Sequence, residues 1–266
     1  MNPPWLSIVT VVKDDHQGLL ETLRSLELQD LEEVEHVVID STGHSMNEAT
    51  RSLSAIAEVN LSTSAQTYEW IEPSGIYPAM NRGLELAAGN YIYFLNAGDT
   101  FFDASVLAST RQELLATDVS WAFGAVEIQE ASGNAVVTPK WDYQAEKRTS
   151  FSNGFFPPHQ GTFAKRSSML NLGGFDISYK VAADYAMFLR LSLESDPHEL
   201  SFPIARFSEG GTSTRDWKLS FREFHSARQS ILHLTGMNSL RERMNTSLHY
   251  CKVWIVREVL RRSQYK

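Results

Sequence analysis

The chain has 266 residues, 42% apolar and 11% aromatic, enough for one large α/β domain, or a domain with an appendage, to bury a substantial core. Its net charge of −8 argues against general nucleic-acid binding, and the single cysteine, Cys251, excludes an intrachain disulfide and suits a reducing compartment. The charge is uneven: Ser239–Lys266 carries seven Lys/Arg against two Glu, net +5, which leaves −13 on the rest.

The opening MNPPWLSIVTVVKDD has no basic leader and runs straight into a strand-like segment, so it does not read as a signal peptide. No stretch approaches 18 uninterrupted apolar residues, and no transmembrane helix is predicted. A cytoplasmic location is the resulting expectation.

Leu6–Val12 is a short apolar run, the pattern of a strand covered on both faces. Leu19, Leu20, Leu23 and Leu26 then recur at helical spacing over 17–28, and His36–Asp40 reads as a second buried strand. Strand, helix and strand within about 35 residues is a βαβ unit with parallel strands. The alternation continues with a helix over 47–58, a strand over 68–71, a helix over 77–88 stopped by Gly89, and a strand over 91–95. A helix over 104–116, a strand over 121–128 and a hairpin turn at Ser132-Gly-Asn134 follow. To this point the chain reads as an open, mostly parallel sheet between helices. Residues 138–158 are turn-rich. Beyond them come a strand over 161–165, a helix over 167–172, a helix over 183–194, a strand over 200–205, and helices over 217–234 and 239–262.

Ligands of open parallel sheets bind beyond the carboxyl ends of the strands. Those ends collect Thr10, Lys13 and Asp14, then Asp40-Ser41-Thr42, Glu72, and Asn96-Ala-Gly-Asp99. Asp40 read singly is either a turn cap or a ligand contact. The dinucleotide fingerprint, the P-loop, the nucleophile elbow and zinc-spaced Cys/His clusters are all missing. The acidic rim therefore favours Mg²⁺ or Mn²⁺ bridging phosphates.

Six blocks in order carry a family resemblance: Leu6–Asp14 with Val37–Ser41, Glu72–Gly83, Asn96–Asp99, His159–Phe163, Gly173–Asp176 with Ala183–Tyr185, and Glu209–Ser213. Together they resemble glycosyltransferase family 2, over roughly residues 6–215, and among its members the bacterial enzymes building colanic-acid-type exopolysaccharide, capsule or O-antigen units. The resemblance implies a GT-A fold over 1–215, with 216–266 as a C-terminal helical extension. It implies inverting transfer from a nucleotide-sugar, with UDP the preferred carrier, to a lipid-linked glycan.

On the same resemblance, Thr10 and Asp40 contact the nucleoside, with Lys13 beside them. Asn81 and Arg82 lie near the diphosphate or donor sugar, Arg suiting phosphate oxygens through its planar fork, or Arg82 lies on a solvated helix face; Asn96 belongs to the donor site. Asp99 holds Mn²⁺ or Mg²⁺, which neutralises the departing diphosphate. His159 and Gln160 orient the acceptor or the pyrophosphate, or His159 is structural. Asp184 is the general base, or an N-cap. Two departures stand out: Gly98 where many relatives have a second acidic residue, and Pro78 where an acidic residue is frequent. The alternatives are a catalytically silent nucleotide-sugar-binding scaffold, and a sugar-phosphate nucleotidyltransferase, whose glycine-rich loop is missing after the first strand.

In the last segment Leu240, Met244, Leu248, Cys251, Ile255 and Val259 form one apolar stripe, widened by Trp254, Val256 and Leu260, with basic residues over much of the remainder. Either this helix packs on the body or it docks on an anionic inner leaflet. Both readings hold together if the stripe faces the protein and the charges face the membrane.

Overall fold

A computed structural model describes residues 3–43, 50–59, 61–130, 133–138, 151, 154, 156–208 and 216–263, with side chains to Ile255. The Glu209–Ser213 block and most of the turn-rich stretch lie outside the described residues.

The strands are β1 (Leu6–Val12), β2 (Val34–Asp40), β3 (Ala65–Trp70), β4 (Tyr91–Phe94), β5 (Thr100–Phe101), β6 (Trp121–Gln129), β7 (Ala135–Val137), β8 (Thr162–Lys165) and β9 (His198–Ser208). The helices are α1 (His16–Glu27), α2 (Thr50–Val59), α3 (Ile76–Leu86), α4 (Val106–Thr117), α5 (Arg166–Asn171), α6 (Ala183–Glu194), α7 (Trp217–Ile231) and α8 (Gly236–Ser263). They build one sheet of order β3-β2-β1-β4-β8-β6-β9-β5, with β7 on β6.

β1 pairs in parallel with β2 and β4, β2 pairs with β3, and β6 pairs with β9, so the long ladders are parallel as expected. β8 runs antiparallel to both β4 and β6, which turns the sheet's second half. β5 and β7 add short antiparallel edges.

Every residue of β1 and β2 is buried, because helices cover both faces. Ile8, Val12 and Val38 pack with Leu19, Leu23 and Leu26 of α1 on one face. Val9, Val11, Val37 and Ile39 pack with Met80 and Leu84 of α3 and with α6 on the other. α3 lies close on β1: a Cβ on Gly83 would stand 2.3 Å from Val9 Cγ1.

α7 belongs to the body. Ala227 is buried, and the Phe224 ring lies 4.6 Å, centroid to centroid, from the Tyr185 ring of α6. α8 is seated by a polar face. Its buried Glu242 pairs with Arg228 of α7 at 2.6 Å, Thr246 accepts from Arg228 at 3.1 Å, and Ser239 donates to Gln229 at 2.9 Å. The apolar stripe points the other way: Met237, Leu240, Met244, Leu248, Trp254 and Ile255 are each at least half exposed, and Cys251 is exposed. Of the two readings of this helix, the one that packs the stripe on the body does not hold as far as Ile255, since hydrogen-bonding groups on the opposite side of the helix take that place. Among the described residues no helix is long and apolar enough to cross a membrane.

Alanine is the better helix former by about 1 kcal/mol, but at position 83 it would strike Val9. Gly83→Ala is therefore expected to lower stability by about 1–3 kcal/mol in urea unfolding; stabilisation would show that α3 stands further from β1.

Candidate functional site

The rim is built by the residues that leave the parallel strands. Beyond β4 the chain continues beside β1, with Leu95 and Ala97 donating to the carbonyls of Val9 and Val11, both at 3.0 Å. It then turns sharply through 96–99. Thr22 of α1 pins this turn: its hydroxyl donates to the carbonyls of Asn96 and Asp99 and accepts from Gly98 N–H at 3.1 Å. Gly98 has φ +90°, where a side chain is strained. That geometry accounts for glycine in place of a second acidic residue.

Asp99, at the end of the turn, is almost fully buried. Burial pushes its carboxyl up to about 6, against the opposing pull of nearby His159, of the Gln160 side chain and of the Asn96 N–H. His159 and Gln160 sit on a short 3₁₀ turn before β8, fixed by Tyr93, whose hydroxyl donates to the Gln160 carbonyl. Burial and the Asp99 charge raise the Tyr93 phenol well above its usual range.

His159 joins this turn to α6. Its Nε2 lies 3.0 Å from Asn96 Nδ2, and its Nδ1 lies 3.8 Å from Asp184 Oδ2. The ring thus places Nε2 against the Asn96 amide and Nδ1 towards Asp184. Asp184 stands in the first turn of α6 and accepts from Tyr77 Oη at 3.2 Å and from Tyr185 N–H at 2.8 Å. Burial and the adjacent Asp184 raise the Tyr77 phenol, so it stays a donor.

Asn96, Asp99, His159, Gln160 and Asp184 thus come together, and Tyr77, which the sequence did not single out, joins them. Asp40 lies further along the rim. Its Oδ1 accepts from Thr42 N–H at 2.7 Å and its Oδ2 from Tyr68 Oη at 2.9 Å, while Trp70 Nε1 donates to the Thr42 carbonyl. Tyr68 and Trp70 were also missed; β3's aromatic run reads as sheet packing until β3 is seen to end beside Asp40. Lys13 is exposed just past β1.

Three residues have their polar groups engaged within the protein. Thr10 is fully buried under α1 and α2, with its hydroxyl 3.0 Å from His36 Nε2. Burial holds that imidazole down at about 4, hence neutral. Thr10 lies on the even-numbered face of β1, under the helices, so its side chain does not reach the rim. Asn81 uses both ends of its amide on Phe175, donating to its carbonyl and accepting its N–H, each at 2.8 Å. It thereby clamps the Gly173-Gly174 turn. Arg82 is forked onto Glu69, with a further bond to Glu85, so its charge is already matched on the protein.

Among the described residues no group of three His, Cys, Asp or Glu could hold a metal. Two oxygen donors nevertheless share the 96–99 turn: the Asp99 carboxylate, and Asn96 Oδ1, which is buried without a hydrogen-bond partner. One carboxylate with a neutral oxygen suits a hard cation that keeps waters and phosphate oxygens in its shell.

The family model for glycosyl transferase family 2 matches residues 7–172, a span that takes in the rim, Asp99 and His159. The chain belongs to glycosyltransferase family 2. An uncharacterized glycosyltransferase of Mycobacterium tuberculosis is 27% identical over 219 residues, 79% of this chain and 78% of its own length. A PGL/p-HBAD biosynthesis glycosyltransferase of Mycobacterium bovis is 27% identical over 119 residues, 44% of this chain and 43% of its own length. Among solved structures, S. aureus TarS 1–349 in complex with UDP-GlcNAc superposes with TM-score 0.65 at 13% identity, covering 92% of this chain and 71% of that one. The Pyrobaculum calidifontis mannosyltransferase PcManGT, in complex with GDP-Man and Mn²⁺, gives 0.62 at 14%, covering 96% and 76%. These two likenesses show the fold, which is the GT-A fold.

Asp99 holds its proton more tightly folded than unfolded. Its favourable contribution is complete below about pH 4 and is lost as pH rises through about 6. In EDTA, Asp99→Asn should gain stability relative to wild type between pH 4 and pH 8, by up to about 3 kcal/mol. Parallel melting profiles of the two proteins would refute the buried charge.

Proposed function

We propose that this family 2 enzyme transfers one sugar from a nucleoside-diphosphate sugar, with UDP the preferred carrier, to a hydroxyl of a lipid-linked glycan, inverting the anomeric carbon. The observation that carries the reading is His159, which lies near Asp99 and 3.8 Å from Asp184 Oδ2, so that both acids belong to one cluster at the carboxyl rim of the parallel strands. Asp184 takes the acceptor hydroxyl's proton as that oxygen bonds to sugar C1, and the C1–diphosphate bond breaks on the opposite face. Tyr77 and His159 hold the Asp184 carboxylate in place. Asp40 and Lys13 lie along the same rim, on the side proposed to receive the nucleoside. Asp99 and Asn96 Oδ1 would hold Mn²⁺ or Mg²⁺, which supplies charge neutralisation of the departing diphosphate. The UDP-GlcNAc and GDP-Man complexes of the structural neighbours support a nucleotide-sugar donor.

Residues 1–215 serve as the catalytic domain in this reading, with the helical extension beyond. We propose α8 as the contact with an anionic membrane surface, where such an acceptor would lie. Its outward apolar stripe is bordered by the exposed Arg241, Arg243 and Lys252, in a segment of net +5 on a chain whose remainder is −13.

Two measurements test these assignments. Asp184→Asn should lower turnover by about 10²–10⁴-fold while the thermal shift with UDP and Mn²⁺ is kept; retained turnover removes Asp184 as base. Full-length protein should sediment with phosphatidylglycerol vesicles but not with phosphatidylcholine vesicles, and Met244→Glu with Leu248→Glu should abolish this. No vesicle binding, or a dimer dispersed by the same pair, would contradict the membrane assignment.

A further inference from the structure

α6 carries the proposed base but lacks a cap of its own. Its N-cap residue is Ala182, which offers no side-chain acceptor, and the first amides of a helix need one. Another helix supplies an acceptor for the Ala182 N–H and for the two amides that lead into it. The carboxylate of Glu223, on α7, takes Lys180 N–H at 3.0 Å on each oxygen, Val181 N–H at 2.9 Å and Ala182 N–H at 3.1 Å. Three consecutive amides converge on one anion immediately before Asp184, at the positive end of the helix dipole.

The same helix grips the residue on the other side. Arg228, buried on α7, donates to Tyr185 Oη at 3.3 Å and is itself fixed by Glu242 and Thr246 of α8. α7 therefore holds the backbone just before Asp184, through Glu223, and the side chain just after it, through Arg228. The Asp184 carboxylate itself meets only Tyr77, His159 and the Tyr185 N–H among the contacts described above.

We propose that Glu223 is a positioning residue for the transfer reaction: it fixes where α6 begins, and so where the Asp184 carboxylate points. This rests on the reading of Asp184 as the base. One oxygen, Oε2, accepts from all three amides, and Oε1 accepts the Lys180 N–H as well, so the cluster of donors faces a full negative charge. Glutamine would set an NH₂ group against the Lys180 N–H, while aspartate keeps the charge but falls one methylene short.

The test follows nucleoside diphosphate release from UDP-N-acetylglucosamine and from GDP-mannose with Mn²⁺, alongside amide hydrogen exchange. Glu223→Gln is expected to lower kcat at least tenfold with donor KM within twofold, and to speed exchange at 180–185. Glu223→Asp should fall between it and wild type. Ala227→Gly weakens α7 without touching the 180–182 amides, and at an equal loss of Tm it should keep kcat within twofold. The proposal is overturned if Glu223→Gln turns over like wild type, or if Ala227→Gly loses as much kcat. Asp184→Asn separates the two readings. If that variant is inactive while Glu223→Gln is not, only the positioning role fails; if it is fully active, the base assignment fails first.

Discussion

The site depends on one constraint, a carboxylate held where water hardly reaches it. Asp99 is buried and its charge is disfavoured there, so the surroundings must supply what solvent does not. Gln160 and the Asn96 N–H do so in part, and the nearby imidazole of His159 adds to them. The turn that delivers Asp99 is held by Thr22 on α1 and uses the positive φ that glycine at position 98 permits. A buried acid of this kind is a poor ornament for a fold and a good receptor for positive charge.

Around that acid the molecule divides its labour by helix. α1 shapes the 96–99 turn through Thr22, α3 offers the Tyr77 hydroxyl to Asp184, and α6 carries Asp184. α7 and α8 lie behind the site side chains, and their Arg228 and Glu242 form a buried pair ending at Tyr185, next to Asp184. Burying such a pair stabilises little in net terms, but removing one partner leaves the other stranded. A fixed geometry is what it secures for the start of α6.

Local pattern carried much of this architecture. The apolar run Leu6–Val12 and the helix Ala183–Glu194 coincide with the elements found, because burial on both faces and a long helical period leave little choice. The antiparallel entry of β8 was not legible, since strand direction is decided by long-range pairing with β4 and β6. β9 runs longer at both ends than its apolar centre suggests, its ends being recruited by β6 and β5. In the candidate site, spacing and resemblance named Asp99, His159 and Asp184, which the fold brings into one cluster. They could not separate rim from interior: Thr10 turns inward to His36, and Asn81 is fully engaged by Phe175. The partners of Arg82 and the outward turn of α8's stripe were equally hidden, because each depends on which polar group the tertiary fold sets alongside.

The account's central claim, that Asp99 and Asp184 face one donor from opposite sides, is most directly tested by a crystal structure with UDP and Mn²⁺. It predicts the diphosphate on the 96–99 turn, the metal on the Asp99 carboxylate, and the Asp184 carboxylate left open to an incoming hydroxyl. A nucleotide bound away from that turn, or a metal that ignores Asp99, would contradict it.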